Sequence, residues 1–169
     1  MAGDKPIICV DTCILIAWIT GEQRPIDDMQ GLASLGRQVD CNEVVLIASA
    51  LFKVEMLESR TPKPALDQLE KLFKRSNVKA IPADMRVMSL AGEIRSYYQN
   101  QRSIDGKPGL CTPDAIHLAT AIHAKASVFL TFDKYGNKDC RGLIPLSLNV
   151  AGYRLRVEPP RAVQTEMPL

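Results

Sequence analysis

Short runs rich in Val and Ile alternate along the chain with longer segments in which apolar residues recur every three or four positions. The first pattern is that of buried strands and the second that of amphipathic helices. Strands are expected at residues 6–10, 44–48, 78–81 and 127–132, with a fifth at 143–148; helices are expected at 12–19, 26–36, 50–60, 64–76, 85–99 and 113–124. This alternation predicts an α/β fold, a mostly parallel sheet of four or five strands covered by helices in a three-layer α/β/α sandwich. Ser49 stands where it can cap the helix that follows, and Thr112-Pro113 supplies a cap with proline at the first helical position. Residues 100–109, with Asp105-Gly106 and Pro108-Gly109, carry turn chemistry and are expected to form a loop. The pattern stops after Leu148, so residues 1–150 are expected to be one domain and residues 151–169, with Pro159-Pro160, a tail or an arm packed on a neighbour.

Composition narrows the class without naming a function. At 169 residues, with 46% hydrophobic and 24% charged positions, the chain has the profile of an ordinary globular domain and not that of a disordered one. The net charge of +2 is too small to announce a nucleic-acid binder, so any polyanion must be held by a local patch. The opening residues lack the charged start and unbroken apolar run of a signal peptide, and no stretch reaches the length needed to cross a bilayer; a cytoplasmic protein that makes no membrane contact is expected. The five cysteines are odd in number, widely spread and without a C-x-x-C pair, which predicts free thiols, mostly buried, and no zinc site. His117 and His123, six apart, lie on different faces of one helix and cannot ligate one ion together, and an ordinary surface or core role is expected for His123.

The acids are more informative. Asp11 ends the run Ile7-Ile8-Cys9-Val10 and Asp133 ends Val128-Phe129-Leu130-Thr131-Phe132, so both stand at the carboxyl ends of strands, where open α/β sheets bind ligands. Glu55 borders the apolar stripe of the helix that starts at the same sheet edge. Asp114 occupies the first turn of its helix, where an acid also has a purely structural reason to be, worth roughly 0.3–1 kcal/mol against the helix dipole. Each of these positions taken singly is explained by capping or surface pairing; together they can be brought to one end of one sheet. Two carboxylates about 4 Å apart repel by roughly 4 kcal/mol at an effective dielectric of 20, so such a group requires a countercharge. An all-oxygen set suits Mg²⁺ or Mn²⁺.

These residues resemble the PIN domain family, and within it the small VapC-like toxin ribonucleases. The matching stretches are I-I-C-V-D-T-C-I-L-I at Asp11, I-A-S-A-L-F-K-V-E-M-L at Glu55, T-P-D-A-I-H-L-A-T-A at Asp114 and V-F-L-T-F-D-K at Asp133, with A-G-E-I-R at 91–95 between them. The resemblance implies a metal-dependent endoribonuclease whose products carry a 5′-phosphate and a 3′-hydroxyl. It implies Asp11, Asp114 and Asp133 as metal ligands, and Glu55 as a ligand or the group orienting the attacking water. Thr12, Ser49 and Thr131 are expected to steady the carboxylates. Arg95, Arg102, Lys107 and Lys134 are the basic candidates for holding flanking RNA phosphates. As partners it implies a homodimer silenced by a VapB-like antitoxin. Residues 23–42 and those after Leu148 depart from a minimal member of the family.

Two other classes compete. One is a PIN-fold module that binds RNA or protein without cutting; the presence of all four acids argues against it. The other is a phosphatase with an aspartyl nucleophile, which Val10-Asp11-Thr12 suggests, but that chemistry needs a second Asp where this chain has Cys13.

Overall fold

A computed structural model describes residues 4–162. Five strands form one sheet, β1 (Ile7–Val10), β2 (Val45–Ser49), β3 (Val78–Ile81), β4 (Val128–Leu130) and β5 (Arg156–Glu158), in the order β3-β2-β1-β4-β5. Every pairing is parallel, with Ile8 opposite Leu46 on one side and Val128 on the other. Six α-helices are described, α1 (Thr12–Thr20), α2 (Ile26–Asp40), α3 (Phe52–Glu58), α4 (Lys63–Phe73), α5 (Met85–Asp105) and α6 (Thr112–His123).

The period-two alternation of the strands divides the core in two. Ile8, Val10, Leu46, Ala48, Val128 and Leu130 pack with residues of α1, α2, α3 and α4. Their neighbours Cys9, Ile47 and Phe129 pack with α5 and α6 on the opposite face. Strands apolar on both faces are what a parallel sheet covered by helices requires, and the result is the expected three-layer sandwich. The strand order reverses direction between β1 and β4. In sheets of this kind the crevice beyond the strand ends at that reversal is the usual ligand position.

Several boundaries differ from expectation. Residues 143–148 are not a strand: Leu143 is buried, but Pro145 lies in a short 3-10 turn at Ile144–Leu146. The fifth strand is β5, inside the segment expected to be a tail or arm; Val157 is the buried residue of this strand, and its N–H donates to the Ser147 hydroxyl at 2.9 Å. The rest of that segment from residue 163 lies outside the described residues. Helix α5 continues through much of the expected loop at 100–109 and stops at Gly106, whose φ of 67° is the left-handed geometry of a helix end. The departure at 23–42 is largely α2, which contributes Leu32, Leu35 and Val39 to the core. Pro160 crosses α2 so closely at Gly31 that a Cβ there would meet its carbonyl oxygen at 2.1 Å. No described helix is long and apolar enough to cross a membrane.

Candidate active site

Asp11 follows β1 directly and serves as N-cap of α1, its Oδ1 accepting from the Thr12 N–H at 2.7 Å. Its other oxygen accepts from the Thr131 hydroxyl at 2.7 Å, a residue that follows β4. The same Thr131 oxygen accepts from the Asp133 N–H at 3.1 Å, so one hydroxyl couples the acids after the two adjacent strands. Asp133 Oδ1 accepts from the Gly136 N–H at 2.8 Å, closing the turn beyond β4.

Glu55 approaches from α3. Its Oε2 accepts from the Thr12 hydroxyl and, at 2.8 Å, from Nε2 of His117. His117 is buried on α6, one turn after Asp114, and its Nε2 lies 3.9 Å from Asp11 Oδ1. With Nε2 donating to Glu55, Nδ1 is left buried with no hydrogen-bond partner among the described residues. Burial pushes the Glu55 carboxyl up, but the bond and charge of His117 together with Thr12 outweigh it and hold the pKa below the ordinary value. Burial pulls His117 down, but its bond to Glu55 and the fields of Asp11, Glu55 and Asp114 reverse that and raise it. The pair therefore favours carboxylate and imidazolium.

Asp114 has no such support. Burial, then repulsion from Asp11 and Asp133, push its pKa up to about 7 against the opposing charge of His117. Asp11, Glu55, Asp114 and Asp133 all line one cleft of about 530 Å³, so the convergence expected of the four carboxylates is present. The raised proton affinity of Asp114 marks negative charge that the protein leaves uncompensated. A hard divalent cation on oxygen donors would suit that deficit, and Asp11, Asp114 and Asp133 are the aspartates that line the cleft.

The supporting residues divide. The Thr12 hydroxyl donates to Glu55 and the Thr131 hydroxyl to Asp11. Ser49 instead is fully buried at the end of β2, and its hydroxyl accepts from the Leu51 N–H at 3.3 Å. It also stands two residues ahead of the cap position of α3, which is Leu51, just as the cap of α6 is Cys111 and not Thr112. Arg95, Arg102, Lys107 and Lys134 are exposed, and none is among the residues lining the cleft. Arg24 lines it instead, its guanidinium 3.6 Å above the Phe132 ring and paired with Glu22 at 2.8 Å and Asp28 at 3.4 Å. Arg24 and His117 were both absent from the site expected on sequence; only His117 left a signal, since it stands three residues after Asp114 and so on the same side of the helix.

The cysteines depart further from expectation. Cys111 and Cys140, 29 residues apart, form a disulfide across the same cleft, while Cys9, Cys13 and Cys41 are free. Cys111 precedes α6 and Cys140 lies in the loop after Asp133, so only the fold brings them together. Burial and the Asp11 charge push the Cys9 and Cys13 thiols well above their ordinary range, which makes them inert. Among the described residues, Cys111, Asp114 and Cys140 are the group of three metal-ligating side chains whose ligand atoms all lie within 4.8 Å of one another.

The family model described as the PIN domain matches residues 8–137, a stretch that contains all four acids and ends before Cys140 and β5. No curated protein matches the chain. Among solved structures it resembles a chain in VapBC2 from Rickettsia felis bound to a DNA fragment from the promoter, with 15% identity, a TM-score of 0.55, and 89% of this chain and 98% of that one covered. It also resembles a chain in FitAcB from Neisseria gonorrhoeae, with 19% identity, a TM-score of 0.50, and 75% and 87% covered. At such identities the likeness is one of fold.

Proposed function

The chain belongs to the PIN domain family, and from that premise we propose that it is a metal-dependent endoribonuclease, the toxin of a type II toxin–antitoxin pair. The observation that carries this reading is the common cleft of Asp11, Glu55, Asp114 and Asp133 at the reversal of the sheet, with Asp114 left in need of a countercharge. Asp11, Asp114 and Asp133 would hold Mg²⁺ or Mn²⁺, which would supply polarisation of the phosphodiester and a more acidic water.

The chain's own residues supply order and proton management. Thr131 and the Thr12 N–H fix both oxygens of Asp11, so this ligand is set before any ion arrives. His117 keeps Glu55 ionised and commits its Oε2, which leaves Oε1 to accept a proton from the attacking water. Arg24, stacked on Phe132 at the rim, is the cation placed to meet an RNA phosphate, a role for which the sequence had suggested Arg95, Arg102, Lys107 and Lys134.

A protein partner is supported by the apolar groove between α3 and α4, where Phe52, Met56, Leu66 and Leu69 line a surface flanked by Leu57 at 70% exposure. The complexes of similar fold, VapBC2 and FitAcB, support the choice of a VapB-like antitoxin as that partner, and a homodimer is part of the same proposal. Cleavage of a structured RNA in Mg²⁺ or Mn²⁺ tests the activity. Asp11→Asn should lower the rate by at least about a hundredfold, the scale of removing one electrostatic contributor at a reacting centre. Equal rates in both proteins would assign the cleavage to a contaminant and leave the binding-module alternative.

A further inference from the structure

We propose that Cys111 and Cys140 are a reversible dithiol which, when reduced, joins Asp114 to form a soft-metal site at the mouth of the acidic cleft. In the disulfide form the ligand atoms of all three side chains lie within 4.8 Å of one another. Thiolate sulfurs select Zn²⁺, Cd²⁺ or Cu⁺ over Mg²⁺, so this site and the all-oxygen pocket beside it sort ions by softness. Cys111 and Asp114 lie within the stretch that the family model matches and Cys140 lies just beyond it.

The pair does not depend on its bond to stay together. Arg141, next to Cys140, donates from its backbone N–H to Gly109 at 2.9 Å and from Nε to Pro108 at 3.0 Å. Its guanidinium also grips both oxygens of Asp105 at 2.8 and 3.0 Å, which fastens the Cys140 loop to the segment leading into Cys111. On the other side, the Cys140 N–H donates to Asn137 Oδ1 at 2.9 Å, and the Cys140 carbonyl accepts from the Asn137 N–H at 2.8 Å. Breaking the disulfide therefore leaves two thiols facing each other on a fixed frame.

Reduction proceeds by thiol–disulfide exchange with a small-molecule thiol. One thiolate attacks a protein sulfur and releases the other as thiolate; a second thiolate frees the first protein sulfur and leaves as the small-molecule disulfide. Two electrons and two protons pass to the protein pair. Binding of a divalent ion then releases one proton from each thiol as both sulfurs coordinate, and a third from Asp114 where that carboxyl is protonated, with Asp114 giving the third protein ligand. In a reducing compartment a disulfide at such a place is transient, so the dithiol is a populated state there.

The consequence is competition. A soft metal on the dithiol competes with the hard-metal pocket for the Asp114 carboxylate. This inhibitory step rests on the nuclease reading; the thiol site itself does not.

The full chain, reduced with a phosphine and titrated with Cd²⁺, tests the site through the thiolate-to-cadmium charge-transfer absorption. One ion per chain is expected, with affinity at least tenfold lower in Cys111→Ser, Cys140→Ser and Asp114→Asn, unchanged in Cys41→Ser, and no band in oxidised protein. A missing band, or one that survives both Cys111→Ser and Cys140→Ser, overturns the site; a band indifferent to Asp114→Asn overturns the sharing. Zn²⁺ at stoichiometric concentration should then inhibit Mg²⁺-driven RNA cleavage by the reduced protein, measured against each variant's own Mg²⁺ rate, and spare Cys140→Ser. No cleavage in Mg²⁺ at all would refute the nuclease reading while the cadmium result stands by itself.

Discussion

The two walls of the cleft treat the same side chain in opposite ways. On the strand wall, Asp11 is held at both oxygens by a backbone N–H and a hydroxyl, at 2.7 Å each. On the α6 wall, Asp114 has no donor among the described residues, and burial with neighbouring charge raises its pKa to about 7. The strand wall is complete as it stands. The α6 wall stores a charge deficit that the protein itself does not relieve, and it is the wall on which Cys111 also sits. A partly buried carboxylate without donors, set among like charges, is a structural liability unless something cationic completes it.

The largest effect that sharpens this contrast is on the unsupported acid. In metal-free protein at pH 8, Asp114→Asn should raise the unfolding free energy by about 2–4 kcal/mol, from a pKa near 7 folded against 3.8 unfolded. The folded carboxyl binds its proton more tightly than the unfolded one, so the wild-type stability is intact below pH 3.8 and is lost as pH rises through about 7. The gain from Asp114→Asn should accordingly shrink toward zero in acid, as denaturant melts at several pH values will show. A gain independent of pH would mean that the side chain is not titrating in the folded state.

On the supported wall the sign reverses. Thr131→Val removes the hydroxyl that serves Asp11 and Asp133, and should cost about 1–3 kcal/mol by stranding buried polar groups. A neutral result there would show that Asp11 does not depend on its donors. The smallest effect is expected at the rim, where Arg24→Ala should cost less than about 1 kcal/mol of stability because its ion pairs remain partly exposed. Its signature should instead be a raised KM for RNA with kcat nearly unchanged. A change confined to kcat would move Arg24 from holding the RNA to the chemistry.

The sheet and the acids were legible because each rests on a local signal. Runs such as Ile7-Ile8-Cys9-Val10 are apolar on both faces, and an Asp at the end of such a run has its place fixed by the strand. What was lost depends on contacts that no local pattern carries. Strand β5 has one inward residue, Val157, too little for a period to show, while Leu143 and Leu146 are buried in a turn that borrows the composition of a strand. The loop expected from Asn100 begins only at Gly106, because Asn100, Gln101 and Arg102 are compatible with helix and the left-handed glycine is what ends it.

The same limit explains the site. His117 reads as one more position on a helix buried nearly all round, and its role appears only when Glu55, 62 residues earlier, arrives opposite Nε2. The basic residues near the acids in sequence do not line the cleft, while Arg24 reaches it by stacking on Phe132. The Cys111–Cys140 pair is invisible to spacing rules because its proximity is made by the packing of two loops.

If the cleft binds a hard divalent cation, Asp114 is the ligand that needs it. Mn²⁺ binding to the metal-free, oxidised chain, followed by electron paramagnetic resonance across pH, tests this most directly. Binding should weaken as pH falls through about 7, where Asp114 takes up its proton, and be lost in both Asp11→Asn and Asp114→Asn. Mn²⁺ binding that ignores Asp114→Asn, or no binding above pH 7, would contradict it.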